Sequence, residues 1–278
     1  MSKHIQVFGK ILISMVFCTL LAVAFTFMQK MLLPSPYEIS DNVARLINGP
    51  KAIITLFGAI FLMFRFFERK EKWALGFDDP KSGSKFLKGI VFGVLMVLTN
   101  FILIWSLGQA KITAFDFSPL IWEAFGIAAF LAICDSFTEE ALFRGYMQGL
   151  LKRSYGVTMA VIVSSIPFAV LHSLGHNVLA NPFILINLFL TGIFLALVKE
   201  KTGSLWMPTA IHIAWNLFNH VFDTTNSLIV INLGTLDWLS GGGSFDQGIL
   251  NTLMMVGLIL LMGLQIGRKN KASTFKSI

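Results

Sequence analysis

Apolar residues run along the chain in repeated stretches of about 18 or more, separated by short polar or basic breaks. Eight such stretches predict membrane-spanning helices, at roughly 11–28, 52–67, 88–107, 119–150, 157–174, 183–198, 204–222 and 249–267. The first follows Lys3 and Lys10 and contains Ala22-Val23-Ala24, a triplet like a signal-peptide cleavage site. The run is longer than a signal core and continues past that triplet, so it reads as a retained helix. Between the first two spans, SDNVARLING within 33–51 predicts a short surface helix. Residues 69–88 form a charged, Pro/Gly/Ser-punctuated connection with Trp73 at an interfacial position. Residues 232–248, with Gly241-Gly242-Gly243, read as a flexible loop. No repeat of fixed period and no soluble domain is expected: 1–278 reads as one polytopic, all-α membrane domain.

Composition agrees with that class. Hydrophobic residues make up 55% of the 278, charged residues 13%, and the mean hydropathy is +0.73; a soluble domain sits near 25% charged. The net charge of +7 raises nucleic acid as a partner, and its distribution answers the question. Of 22 Lys and Arg, 17 lie at the N-terminus, in 65–88, at 152–153 and 199–201, and in the C-terminal tail. Lys30, Arg45, Lys51 and Lys111 lie in the alternate connections, and Arg144 lies inside a span. This asymmetry is the positive-inside rule, which orients a multi-pass protein of the cell membrane with both termini cytoplasmic. The bilayer, not nucleic acid, is the partner this charge serves. Cys18 and Cys134 both fall in spans and read as small apolar residues.

Against this background, TEEALFRGYM (138–147) places two glutamates and an arginine inside a span. Intramembrane ionisable groups cost a few kcal/mol or more each, so they mark candidate sites. Asp135 lies one turn earlier. On an α-helix Glu140 and Arg144 share a face at i,i+4, in the order that favours an ion pair. Glu139 is turned about 100° away and has no local cation. Mutual neutralisation accounts for Glu140 and Arg144 as well as a functional role does, but not for Glu139. The next span carries Phe168 and His172 on one face after Pro167, with His176 in the following turn. A later span carries His212 and Asn216 at i,i+4, with His220 in the same row and Asn219 off it. Each could be a structural hydrogen-bonding residue, as membrane bundles commonly use. Three spans presenting polar groups together is harder to explain in that way.

Counting along the helices puts Glu139 about 16 Å, His172 about 22 Å and His212 about 10 Å from the basic ends of their spans. All three fall in one overlapping layer of a core about 30 Å thick. A buried carboxylate beside a histidine can activate water. A second histidine and an amide can stabilise the oxyanion formed when water attacks an amide carbonyl. The same two histidines and one glutamate, His172, His212 and Glu139, also match a catalytic zinc shell with an open position, although no H-E-x-x-H motif is present.

The motifs E-E-x-x-x-R (Glu139 to Arg144, followed by Gly145 and Tyr146), F-x-x-x-H (Phe168 to His172) and H-x-x-x-N (His212 to Asn216), in this order on successive spans, resemble the CAAX protease and bacteriocin-processing (CPBP, or Abi) family of intramembrane proteases, which includes the type II CAAX prenyl endopeptidases. The resemblance covers about 119–222. It implies about eight helices around an intramembrane cavity and hydrolysis of a membrane-associated peptide or protein. Glu139 and His172 would activate the water, His212 and Asn216 would hold the oxyanion, and Glu140 and Arg144 would support the site. Family members are described both as metalloproteases and as metal-independent glutamate proteases. Two other functions use the same residues: a non-proteolytic immunity or scaffold protein of this fold, and a proton-coupled transporter with the carboxylates as relays.

Overall fold

A computed structural model describes residues 3–32, 41–69, 74–174, 176–241 and 244–275. Trp73, and Gly242 and Gly243 of the glycine run, lie outside the described residues. The architecture is an all-α polytopic membrane fold with one small sheet. Its elements are α1 (Lys3–Leu32), α2 (Asp41–Phe66), α3 (Ser82–Ser106), β1 (Ala110–Phe115), α4 (Pro119–Glu139), a π-helical segment (Glu140–Met147), α5 (Gln148–Tyr155), α6 (Val157–Ser173), α7 (Phe183–Thr202), α8 (Trp206–Asn219), β2 (Phe222–Asp223), β3 (Ile229–Leu233), α9 (Asp237–Ser240) and α10 (Ile249–Phe275).

Every apolar stretch picked out from the sequence is helical. Among the described residues, six helical runs are long and apolar enough to cross a membrane; α4, the π segment and α5 count as one run, Pro119–Tyr155. The two other expected spans are the shorter helices α6, of 17 residues, and α8, of 14. Large apolar side chains such as Leu20, Phe27, Leu260 and Leu264 face outward along α1 and α10, as a hydrocarbon solvent requires. The backbone bonds stay inside the helices, where no water could replace them.

Two local expectations change, and a small sheet is added. The residues SDNVARLING do not make a separate surface helix: from Asp41 onward they are the first turns of α2, which continues through Pro50. The part of 232–248 on either side of Gly242-Gly243 is structured, not a flexible loop. Residues 229–233 are strand, 237–240 are helix, and Phe245 is 1% exposed. Finally, the sheet has the order β1-β3-β2, with β1 antiparallel and β2 parallel to β3.

α8 is the shortest of the expected spans, yet it is the most closely held. Gly89 and Gly93 of α3 form a GxxxG face against Ala210 and Ala214 of α8. A Cβ added at Gly89 would come 2.6 Å from Ala210 Cβ, and one at Gly93 2.7 Å from Ala214 Cβ. Small residues at i,i+4 on both helices let the backbones approach where apolar burial provides little drive for association. The face of α8 away from α3 is thereby left for His212 and Asn216.

Candidate functional site

The site forms where α4 passes into the π-helical segment. From Glu140 to Met147 the backbone bonds shift from i→i+4 toward i→i+5, and the cap confirms the spacing, with Gln148 N–H donating to the Phe143 carbonyl. All eight residues are buried. The ion pair expected from α-helical spacing persists: Arg144 Nη1 lies 2.9 Å from Glu140 Oε1, with both side chains 1% exposed or less. It is a charge contact more than an aligned hydrogen bond, because Nη1 has no acceptor in hydrogen-bonding geometry.

Arg144 is held by more than Glu140. Its guanidinium lies 4.0 Å from the centroid of the Phe168 ring, and Nη2 donates to the Gly192 carbonyl at 3.4 Å. Phe168 is in turn edge-on to Phe143, at 5.5 Å and 86°. Burying a charge is tolerable when it is paired and stacked in this way. The Phe of F-x-x-x-H therefore has two tasks, since its carbonyl also receives His172 Nδ1 at 2.8 Å.

That carbonyl can only accept, so Nδ1 of His172 carries the hydrogen and Nε2 faces the site. His172 Nε2 lies 3.1 Å from Glu139 Oε2. His212 repeats the arrangement with a carboxylate. Its Nδ1 lies 3.1 Å from Glu140 Oε1, and its Nε2 is 3.8 Å from Glu139 Oε2. The adjacent glutamates thus approach the two nitrogens of one imidazole. Glu139 keeps 19% of its side-chain surface exposed while Glu140 keeps none, so Glu139 is the carboxylate that water can reach. Asn216, one turn after His212, donates one amide hydrogen to Ser136 Oγ at 3.3 Å and retains a second.

His172, His212 and Asn216 line a cavity of about 180 Å³. All seven residues that define the three motifs therefore meet in one place. His176 is exposed at the cavity rim. His220 and Asp135 instead border a second pocket with Arg45; this pocket shares Asn216 and Asn219 with the first. Sequence reading missed Ser136, the second task of Phe168, and the Gly89/Gly93 face, although GIVFG at 89–93 carried a recognisable small-xxx-small signal.

One ligand atom from each of Glu139, His172 and His212 lies within 4.8 Å of the others. The donor set suits a divalent metal such as zinc: the two Nε2 atoms and a carboxylate oxygen converge, and each Nδ1 faces a carbonyl or carboxylate behind it.

Residues 121–218 match the family model of type II CAAX prenyl endopeptidase Rce1-like proteins. This segment resembles the Rce1-like proteins. The match spans the same helices as the three motifs and is consistent with the CPBP family. No curated protein matches the chain. The matched segment is thus similar to CAAX-type intramembrane proteases, and the apolar helices around it make the chain a multi-pass membrane protein.

Proposed function

We propose that the chain is an intramembrane endopeptidase with 119–222 as its catalytic core, acting on a membrane-associated peptide or protein in the cell membrane. The basic connections and tail put both termini on the cytoplasmic side. The observation that carries the reading is the 3.1 Å contact between Glu139 Oε2 and His172 Nε2, at a cavity where Asn216 offers an amide hydrogen that has no acceptor among the described residues.

Water held beside the Glu139–His172 pair attacks the carbonyl carbon as its proton passes to Glu139. Asn216 donates its second amide hydrogen to the developing oxyanion. His212, oriented through Nδ1 by Glu140, can serve the same oxygen only through an Nε2–H, so this role requires a hydrogen on both ring nitrogens. The C–N bond breaks as the proton held by Glu139 reaches the leaving amine. Glu140 and Arg144 are positioning residues: they orient His212 and are themselves fixed by Phe168 and Gly192.

A second reading is supported by the convergence of the two Nε2 atoms on Glu139. A zinc ion held by Glu139, His172 and His212 would supply Lewis acidity and a more acidic bound water.

The test is hydrolysis by the purified full-length protein in liposomes, with substrates captured on the Glu139→Gln variant and identified by mass spectrometry. Covalent cleavage by wild type but not by Glu139→Gln is expected. An immunity phenotype that survives Glu139→Gln would favour the scaffold role, and proton-linked uptake would favour a carrier.

A further inference from the structure

The cavity does not end at the cleavage centre. Along α8, Asn219 lies seven residues beyond His212, about 10 Å by helix rise, and it lines the same cavity as Asp246, Gln247 and Asn251. The segment carrying Asp246 is fixed by side-chain amides from three helices. Asn100 Nδ2 donates to the Phe245 carbonyl at 3.0 Å, Asn187 Nδ2 to the Asp246 carbonyl at 2.9 Å, and Asn251 Nδ2 to that same carbonyl at 2.8 Å. Such a support holds the Asp246 carboxylate at a set place in the cavity wall.

The chemistry at this end is one-sided. Asp246 Oδ1 accepts from Ser244 Oγ at 2.6 Å and Oδ2 from Asn219 Nδ2 at 3.0 Å, both neutral donors. Among the described residues no Lys, Arg or His forms an ion pair with it. The amides of Asn219 and Asn251 use their nitrogens on acceptor-only partners, which fixes their orientation. Their oxygens are buried and have no donor among the described residues, and Asn251 is only 2% exposed. A carboxylate and two buried, donorless amide oxygens beside one cavity call for a cationic group rich in N–H. One carboxylate with neutral oxygens is too little charge for a dedicated calcium or magnesium cage, whereas it suits an ammonium or guanidinium group.

We propose that this end of the cavity is a specificity subsite in which Asp246 receives a Lys or Arg side chain of the substrate, within about three residues of the cleaved bond, given about 3.3 Å per extended residue. The inference rests on the proteolytic reading for the word substrate; the cation preference of the subsite stands apart from it.

The test uses the full-length protein in liposomes and a set of apolar decapeptides carrying Lys, norleucine or Glu at each position in turn. Cleavage is mapped by mass spectrometry, and binding of the same peptides is measured on the Glu139→Gln variant. Wild type is expected to prefer Lys over norleucine at least tenfold at one position within three residues of the cut. Asp246→Asn brings that ratio close to one, Asp246→Glu keeps most of it, and Asn219→Asp, which adds a second carboxylate, raises it. A Lys preference that is absent, or unchanged in folded Asp246→Asn, overturns the subsite; should Asp246→Asn not fold, an unchanged ratio in Asn219→Asp overturns it. Lys-selective binding that depends on Asp246 without any cleavage overturns the proteolytic reading and leaves the subsite standing. Cleavage without Lys selectivity does the reverse.

Discussion

Glu140 Oε1 and His212 Nδ1 meet at 3.1 Å across two helices and 72 positions of chain. The same oxygen faces Arg144 at 2.9 Å, so one buried carboxylate both balances the guanidinium and fixes the orientation of the imidazole. Because Nδ1 is engaged there, only Nε2 of His212 is turned toward Glu139.

Replacing Glu140 with Gln keeps the shape but removes the charge that orients His212. The expected result is a fall in kcat of about tenfold to a hundredfold, the range seen when the hydrogen-bond partner behind a metal-ligating histidine is lost, with KM little changed. Steady-state kinetics on the folded variant check this; an unchanged kcat would show that the His212 orientation is fixed by packing alone.

Glu139→Gln and His172→Ala should each lower the rate by at least about a hundredfold, the lower range for loss of a general acid–base group, while the thermal transition stays near that of wild type. Full activity in either variant would refute water activation by this pair.

Arg144→Ala leaves Glu140 without its counter-charge at 0% exposure. Breaking a buried pair in this way costs about 3–5 kcal/mol. Arg144→Lys should retain the charge but lose the planar contact with Phe168 at 4.0 Å, an interaction of about 0.5–2 kcal/mol. Unfolding in mixed micelles should rank wild type above Lys and Lys above Ala; an inverted order would remove the stacking from the account.

Gly93→Ala places a methyl 2.7 Å from Ala214 Cβ and 2.8 Å from the Ile211 carbonyl. Overpacking of this kind costs about 1–3 kcal/mol, and it pushes α8 with His212 and Asn216. Lower stability and activity are expected together. Ala214→Gly in the same chain should restore part of both, because it relieves the first clash and leaves the second. Absence of any rescue would locate the damage elsewhere.

Water activation by Glu139 and His172 predicts that a strong chelator leaves cleavage intact and that purified active protein carries far less than one metal per chain. Loss of activity on chelation, restored by zinc, together with stoichiometric metal that disappears in His172→Ala, would establish the metal reading.

Much of the site was legible in local sequence. Charges in an apolar run are conspicuous because a bilayer penalises them, and the spacing of Glu140 to Arg144, Phe168 to His172 and His212 to Asn216 follows from helical periodicity alone. Helix positions were legible for the same reason, since a membrane-spanning segment must satisfy its own backbone. What connects those helices was not. The small sheet pairs Ala110 with Leu233, and the anchoring of 245–248 depends on Asn100, Asn187 and Asn251 from three separate helices. Such contacts join residues far apart in the chain and leave no periodic trace.

By itself the sequence determined that the chain is a bundle of apolar helices and which polar side chains each helix must shelter, because transfer energy and helical period act on neighbouring residues. Only the tertiary structure decided which nitrogen of each histidine faces Glu139, that Glu140 serves His212 as well as Arg144, and that the cavity runs on to Asp246. Those outcomes are set by how closely helices pack, and that closeness depends on pairs such as Gly93 and Ala214, which come together only when the chain is folded.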